Sequence, residues 1–329
     1  MSDVVIAVDV GGTTIAGGLV TPAGEVLTAI SVPMRAAAGA TVATIGTLID
    51  DLRRTAADRP VLGIGVGVPG PVDTVAGRIG EHVPHAPDLA EQPLASLLAA
   101  RFRLPVYVDN DVNALALGEW RFGAARGVGS LVVLAPGTGF GTGVVLDGRL
   151  VRGVAGFGGE FGHTPVNFDG PRCFCGLRGC LALYASGRGV ADAARARARA
   201  DDGAALLRAV DGDAAAMTAE LVFRLAAAGD AAASAIVEEA CRAIAAMLGT
   251  IVNGLNPEAI VITGGLVESL AALEPRILAA ARDYAFARPL AATRITWVRS
   301  DKRTTMRGAA ALVLYESALA GEAEARPRT

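Results

Sequence analysis

Lysine is almost missing. Of 30 basic residues only Lys302 is a lysine. That excludes a Walker phosphate loop, which is built on a Gly-Lys-Ser/Thr step, and counts against Schiff-base chemistry. Long apolar runs are missing too. The longest that matters, Ala243 to Val252, is flanked by Arg242 and Asn253. It falls short of the roughly 18 to 20 residues of a membrane helix, so no membrane association is expected. The opening Met1-Ser2-Asp3-Val4-Val5 has no basic stretch, so no signal peptide is expected and a cytoplasmic location is. No cationic block is present, and 30 basic against 33 acidic residues leave a net charge of −3. Nucleic acid is therefore not an expected partner. What is present is a chain of 329 residues, 52% apolar and 19% charged. That balance excludes disorder over most of its length, and the length fits one large domain or two ordinary ones.

Two segments resemble each other. The first runs Ile6-Ala7-Val8-Asp9-Val10-Gly11-Gly12-Thr13-Thr14, then Ile15 to Val20 and a turn at Thr21-Pro22-Ala23-Gly24. The second runs Leu131-Val132-Val133-Leu134-Ala135-Pro136-Gly137-Thr138-Gly139, then Phe140 to Leu146 and a turn at Asp147-Gly148. Each reads as strand, Gly/Thr turn, strand, polar turn, and the repeat points to two related domains. Between them Val61 to Val68 reads as a buried strand ending at Pro69-Gly70-Pro71. Pro105 to Val108 reads as another, followed by a helix over Val112 to Phe122. Ile236, Ala240, Ile244, Met247, Leu248 and Ile251 recur at helical spacing, and Asn256-Pro257 ends that helix. A strand at Ala259 to Thr263, a tight Gly264-Gly265 turn and a helix over Val267 to Ala281 follow, and Gly321 to Thr329 reads as a frayed tail. Strands alternating with helices give an α/β class.

Glycines let a backbone approach a ligand closely, and exposed amides beside Thr hydroxyls make an anion nest. One such turn would be only a tight hairpin; two favour phosphate binding. Asp109-Asn110-Asp111 stands between a strand end and a helix start. It reads equally as an N-cap or as the place of a carboxylate that takes a proton from a substrate hydroxyl. His163 with Cys173, Cys175 and Cys180 places three of the four cysteines and one of the three histidines within eighteen residues. That pattern matches a closed structural zinc site; a disulfide would leave one thiol odd and suits an oxidising compartment. Cys241 lies on an apolar helix face and reads as core. Glu160, in Gly158-Gly159-Glu160-Phe161-Gly162-His163, reads as a solvated charge or as a substrate contact. Gly264-Gly265 between a strand and a helix is a weak nucleotide signal, and His82 and His85 read as solvated.

Together, Asp9-Val10-Gly11-Gly12-Thr13, Asn110-Asp111, Gly137-Thr138-Gly139, Glu160 with His163, and the Cys173-Cys175-Cys180 run resemble the ROK family of sugar kinases, over Ile6 to Tyr315. The resemblance implies a two-lobed, actin-like (ribonuclease H-like) ATPase fold of the hexokinase type, with a structural zinc loop. It places a small lobe at 1–115 plus 305–320, a large lobe at 116–304, and a C-terminal helix at about Thr305 to Leu319. A homodimer or homotetramer is implied. So is an ATP- and Mg²⁺-dependent transfer of the γ-phosphate to a primary hydroxyl of a hexose, with glucose the default. By the same resemblance Asp111 is the general base. Asp9 holds Mg²⁺ through water, and Gly11, Gly12, Thr13, Thr14, Gly137, Thr138 and Gly139 cradle phosphates. Gly264 and Gly265 lie beside the adenosine. Asn110, Glu160 and His163 bind sugar hydroxyls, with Gly70, Asp88 and Ala182 at the same pocket, and His163 is also a ligand of the zinc.

Two positions depart from the family pattern. Where the family usually carries Cys-Leu-Glu, with the Glu on the sugar near C1 and C2, the chain has Cys180-Leu181-Ala182; where Ala-Pro-Asn is common it has Ala86-Pro87-Asp88. Buried hydroxyls left unpaired cost about 1 to 3 kcal/mol each. A ring without an anomeric hydroxyl, such as a cyclitol, or an amino sugar, is therefore an alternative substrate. A sugar-sensing regulator is the alternative from another class. Regulators of the family carry a helix-turn-helix ahead of the Asp-x-Gly-Gly-Thr motif, and here that motif begins at Asp9.

Overall fold

Strands buried on both faces read as unbroken apolar runs. The two such runs in the first third of the chain, β1 (Val4–Val10) and β4 (Val61–Val68), are the centre of a sheet. The structure, a computed structural model, describes residues 2–34, 39–81, 83, 86–199 and 203–325. His82 and His85 lie outside the described residues. β2 (Thr14–Val20) and β3 (Val26–Pro33) lead to α1 (Ala40–Ala56) and β4. The short strands β5 (Val72–Asp73) and β6 (Arg78–Ile79), α2 (Leu94–Phe102), β7 (Val106–Asn110) and α3 (Asp111–Arg121) follow. The sheet order is β3-β2-β1-β4-β7. β1 runs antiparallel to β2 and parallel to β4, and β4 runs parallel to β7.

The second strand set is β8 (Leu131–Pro136), β9 (Phe140–Leu146) and β10 (Arg149–Leu150). Helices α4 (Ala182–Ala185), α5 (Gly187–Arg197), α6 (Ala204–Arg208), α7 (Ala219–Ala227) and α8 (Ala231–Leu255) come next. Then come β11 (Ala259–Ile262), α9 (Val267–Ala271), α10 (Glu274–Ala281), α11 (Ala287–Ala292), β12 (Arg294–Trp297) and α12 (Lys302–Ala325). This sheet has the order β10-β9-β8-β11-β12. It repeats the first order element for element, so the similarity of the two Gly/Thr segments extends to topology.

Side chains alternate across a strand, and β1 uses both faces. Val4, Ile6, Val8 and Val10 pack with Ile45, Leu48, Leu52, Leu94 and Leu98 of α1 and α2. Val5 and Ala7 pack with Met306, Ala309, Ala310 and Val313 of α12. Full burial of a side chain such as Met306 or Val313 contributes roughly 1.5 to 3 kcal/mol. The alternation puts Asp9 on the α12 face, one step beyond Val5 and Ala7, where a polar residue must find polar partners.

Several boundaries differ from the sequence reading. The helix expected over Val267 to Ala281 is two helices, α9 and α10. Pro275 sits in the first turn of α10, where its missing N–H is harmless, whereas within a continuous helix it would delete a bond and clash. β7 extends through Asp109 and Asn110. The C-terminal helix begins at Lys302 and reaches Ala325, so the stretch read as a tail is helical to that point, and 326–329 lie outside the described residues. The chain divides into two compact units: 1–129 with 143–159 and 300–329, and 130–142 with 160–299. The first unit is thus larger than 1–115 plus 305–320, because it keeps all of α3, which packs along α12. α8 ends as expected: Asn256 takes the left-handed conformation at φ 46°, a common helix stop. Cys241 is fully buried in α8.

Candidate functional site

In open α/β sheets ligands collect at the carboxyl ends of parallel strands, and β1 and β7, on either side of β4, bring acidic residues there. Asp9 of β1 pairs in register with Gly67 of β4, and Gly67 with Asp109 of β7. The glycine between them allows a close approach: a Cβ on Gly67 would stand 3.3 Å from the Asp111 Cα. Asp9 is 7% exposed. Its Oδ2 accepts from Lys302 Nζ at 3.1 Å and from Thr305 Oγ1 at 2.9 Å. Ahead of it the turn is closed by the Gly11 amide donating to the Thr14 carbonyl at 2.9 Å, and Gly12 and Thr13 are exposed.

The three polar residues at the start of α3 have separate duties. Asp109 is buried. Its Oδ1 accepts from the Asn110 amide at 2.7 Å and from Asn113 Nδ2 at 3.0 Å, and its Oδ2 accepts from Arg152 Nε at 2.7 Å. Arg152 also pairs with Glu316 of α12. Burial works against the Arg152 charge, but Asp109 and Glu316 outweigh it and hold the guanidinium charged above its ordinary range. Asn110 is the N-cap: its Oδ1 accepts from the amides of Val112 (2.9 Å) and Asn113 (3.2 Å), and its Nδ2 donates to the Gly70 carbonyl at 3.1 Å. The capping reading therefore describes Asn110. Asp111, half-buried, opens α3 with Oδ1 accepting from the Val112 amide at 2.9 Å, where the helix dipole favours negative charge.

The second unit supplies a different kind of surface. The Gly137 amide donates to the Gly139 carbonyl at 2.9 Å, while the Gly187 and Arg188 amides at the start of α5 donate to the Gly137 and Thr138 carbonyls. Thr138 and Gly139 are exposed. Gly264 has φ +117°, and a Cβ there would stand 2.7 Å from the Pro136 carbonyl oxygen; only glycine fits. A Cβ on exposed Gly265 would meet only the Gly137 Cα, at 3.9 Å. Gly137, Gly264 and Gly265 thus form one backbone-lined surface open to a flat ligand.

Glu160 caps a single 3-10 turn, Phe161–His163. The turn is fixed by the His163 amide on the Glu160 carbonyl at 3.0 Å and the Phe161 amide on Thr142 Oγ1 at 3.0 Å. Burial raises the Glu160 carboxyl above its ordinary value, and among the described residues no donor is recorded against it. His163 Nδ1 lies 3.8 Å from Cys173 Sγ, Cys175 Sγ lies 3.8 Å from Cys180 Sγ, and the four ligand atoms all fall within 4.8 Å of one another. A tetrahedron with Zn–S bonds of about 2.3 Å has S–S edges of about 3.8 Å, so the set fits a zinc ion. Burial, with the neighbouring thiols, pushes the Cys180 thiol up to about 12, and burial also raises Cys173 and lowers His163.

Both positions that depart from the family pattern are occupied structurally. Asp88 accepts the Thr41 amide (2.9 Å, Oδ2) and the Thr41 hydroxyl (2.8 Å, Oδ1), and so caps α1, whose own N-cap residue Gly39 offers no side chain. Ala182 is fully buried at the start of α4. Sequence reasoning missed Thr305, Arg152 and Lys302 as neighbours of the acidic residues. The first two carry no motif. Lys302 had a signal, since it is the lone lysine.

The ROK family profile matches residues 5–316. The chain belongs to the ROK family. A glucokinase of Halalkalibacterium halodurans is 36% identical over 270 residues, covering 79% of this chain and 80% of that protein. The ROK hexokinase of Thermus thermophilus superposes with TM-score 0.81 at 32% identity, over 96% of this chain and 99% of that one. A ROK glucokinase of Streptomyces griseus, solved with glucose and AMPPNP, superposes with TM-score 0.72 at 31% identity, over 94% and 98%. A ROK transcriptional regulator, a homologue of the E. coli MLC protein, superposes with TM-score 0.81 at 27% identity, over 98% of this chain and 81% of that one. Among the described residues no helix is long and apolar enough to cross a membrane.

Proposed function

We propose that this protein is an ATP-dependent carbohydrate kinase that transfers the γ-phosphate to a primary hydroxyl of a hexose, with glucose the default ring. The observation that carries the reading is the pair of carboxylates at the carboxyl ends of β1 and β7, Asp9 and Asp109, flanking Gly67 of β4, which lies close against the Asp111 backbone. Phosphoryl transfer needs little covalent work from a protein; positioning and charge dominate. Asp111 accepts the proton of the attacking hydroxyl, at a helix start whose dipole favours negative charge. Arg152 and Asp109 lock the start of α3, so that Asp111 is held by its neighbours rather than by substrate. Asp9 would hold Mg²⁺, whose charge offsets that of the phosphates; a carboxylate beside an exposed Gly/Thr turn fits that duty. Gly11 to Thr14 and Gly137 to Gly139 receive phosphates through backbone amides and hydroxyls, and Gly264 and Gly265 take the adenosine.

Asn110, Glu160 and His163 bind ring hydroxyls, with Gly70 beside Asn110. Glu160 supports this reading best, because a partly buried carboxylate with no recorded donor is served by a hydroxyl. His163, Cys173, Cys175 and Cys180 would hold a structural zinc ion through Nδ1 and three thiolates, orienting the ring of His163 so that Nε2 can meet the sugar. A homodimer or homotetramer is part of the same reading.

A second ring class is favoured by a specific observation. Ala182 offers no acceptor, and both oxygens of Asp88 are engaged by Thr41, so a glucose hydroxyl near C1 and C2 loses a partner. ADP release with Mg-ATP, measured on glucose, mannose, fructose, N-acetylglucosamine, N-acetylmannosamine and a C7 cyclitol, separates the readings. Strong turnover on glucose establishes the first. Silence on glucose with turnover on an amino sugar or cyclitol establishes the second. Silence on every ring contradicts both and returns the regulator reading.

A further inference from the structure

Lys302 stands where the kinase chemistry needs a mobile cation. It is the first residue of α12 and the only lysine among 30 basic residues. Its Nζ lies 3.1 Å from Asp9 Oδ2 and 3.4 Å from where a Cβ on Gly11 would stand, so the ammonium sits over the first glycine of the phosphate turn. The pair is lopsided: the Lys302 side chain is 48% exposed and that of Asp9 9%. A half-exposed ion pair contributes little to stability, so stability does not explain the placement. Asp9 is already held without it, by the Thr305 hydroxyl at 2.9 Å. An ammonium on a flexible four-carbon stem is a compact point charge that re-aims easily, unlike the planar guanidinium of the 29 arginines.

We propose that Lys302 is a binding residue for the terminal phosphates of the nucleotide. Its ammonium pairs with Asp9. With nucleotide bound, Asp9 would hold Mg²⁺ and Lys302 would turn from Asp9 onto the β- and γ-phosphate oxygens above Gly11 and Gly12. This inference rests on the kinase reading and adds to it the residue that senses the length of the phosphate chain.

Two measurements on the intact protein test it. The first is amine-selective acetylation of Lys302, followed by peptide mass spectrometry, with AMP, ADP or AMPPNP at matched occupancy and Mg²⁺ present. ADP and AMPPNP are expected to slow acetylation at least about fivefold, and AMP, which lacks the terminal phosphates, to leave it unchanged. The second is calorimetric binding to Lys302→Met and Lys302→Arg, both checked for an unchanged melting temperature. Affinity for AMPPNP is expected to fall about tenfold or more in Lys302→Met and to recover partly in Lys302→Arg, while AMP and the ring bind as in wild type. If Lys302→Met binds AMPPNP as tightly as wild type or more tightly, and AMPPNP gives no protection, Lys302 is only a counter-ion of Asp9 and the inference is wrong. In that case wild-type turnover on a ring would leave the kinase reading standing. A wild-type protein that binds no nucleotide would remove both.

Discussion

The two Gly/Thr hairpins share strand order and turn sequence, yet their surroundings differ. Around the first turn stand charged and hydroxyl side chains: Asp9, Lys302 and Thr305, with Asp109, Arg152 and Asp111 at the neighbouring strand ends. Around the second stand mainly glycines and backbone: Gly187, Gly264 and Gly265 pack to the turn, and Arg188 meets it through its backbone amide. One repeated strand order carries two kinds of surroundings, charged in one case and backbone-lined in the other; on the proposed kinase reading the first serves proton transfer and the second shape. Substitution of the carboxylates Asp9 and Asp111 beside the first turn should therefore change turnover, and substitution of the glycines at the second turn should change affinity or stability.

The largest expected effect lies in the first unit. Asp9→Asn is expected to lower turnover by about 10²- to 10³-fold, the usual cost of removing an electrostatic contributor to such a site, with ring affinity unchanged by calorimetry. Equal losses in turnover and ring affinity would erase the contrast. Next comes metal removal in the second unit. Chelation, or Cys175→Ser, is expected to lower the melting temperature by roughly 4 °C or more and to raise the KM for the ring, with bound zinc read by elemental analysis. A protein purified without metal and unchanged by chelator would break this prediction.

The glycine turns come third and divide between themselves. Gly265→Val has room to fold, so its melting temperature should hold while the KM for ATP rises about tenfold, a loss of about 1.4 kcal/mol. Gly264→Ala must place a Cβ against Pro136 at positive φ and should cost about 1 to 3 kcal/mol of stability, read by thermal denaturation. The smallest effect is at Asp88. Asp88→Ala removes the cap of α1 and should cost about 1 kcal/mol while leaving the ring KM unchanged; a large KM change would return Asp88 to the sugar pocket.

Much of this was legible in the sequence where a short motif carries the chemistry. Both hairpins, the strand into Asp109-Asn110-Asp111 and the Cys/His set are local patterns, and a local pattern survives folding. Less legible were features that depend on distant partners. Asp88 bonds Thr41 across 47 residues and Lys302 bonds Asp9 across 293, so no spacing announces either. Asp109-Asn110-Asp111 reads as a cap or a base because it holds several polar residues at one helix start: Asn110 caps the helix, and Asp111 beside it is left for the proposed proton transfer. The break between α9 and α10 has a local signal in Pro275, which opens α10.

The account rests most heavily on Asp111. The direct test compares wild type with Asp111→Asn in ADP release on the best ring of the panel, with calorimetric ring binding alongside. Turnover should fall at least about 100-fold, the low end for loss of a general base, while ring affinity stays within a few-fold. A variant that turns over like wild type would contradict the assignment of the base, and with it the division of labour between the two units.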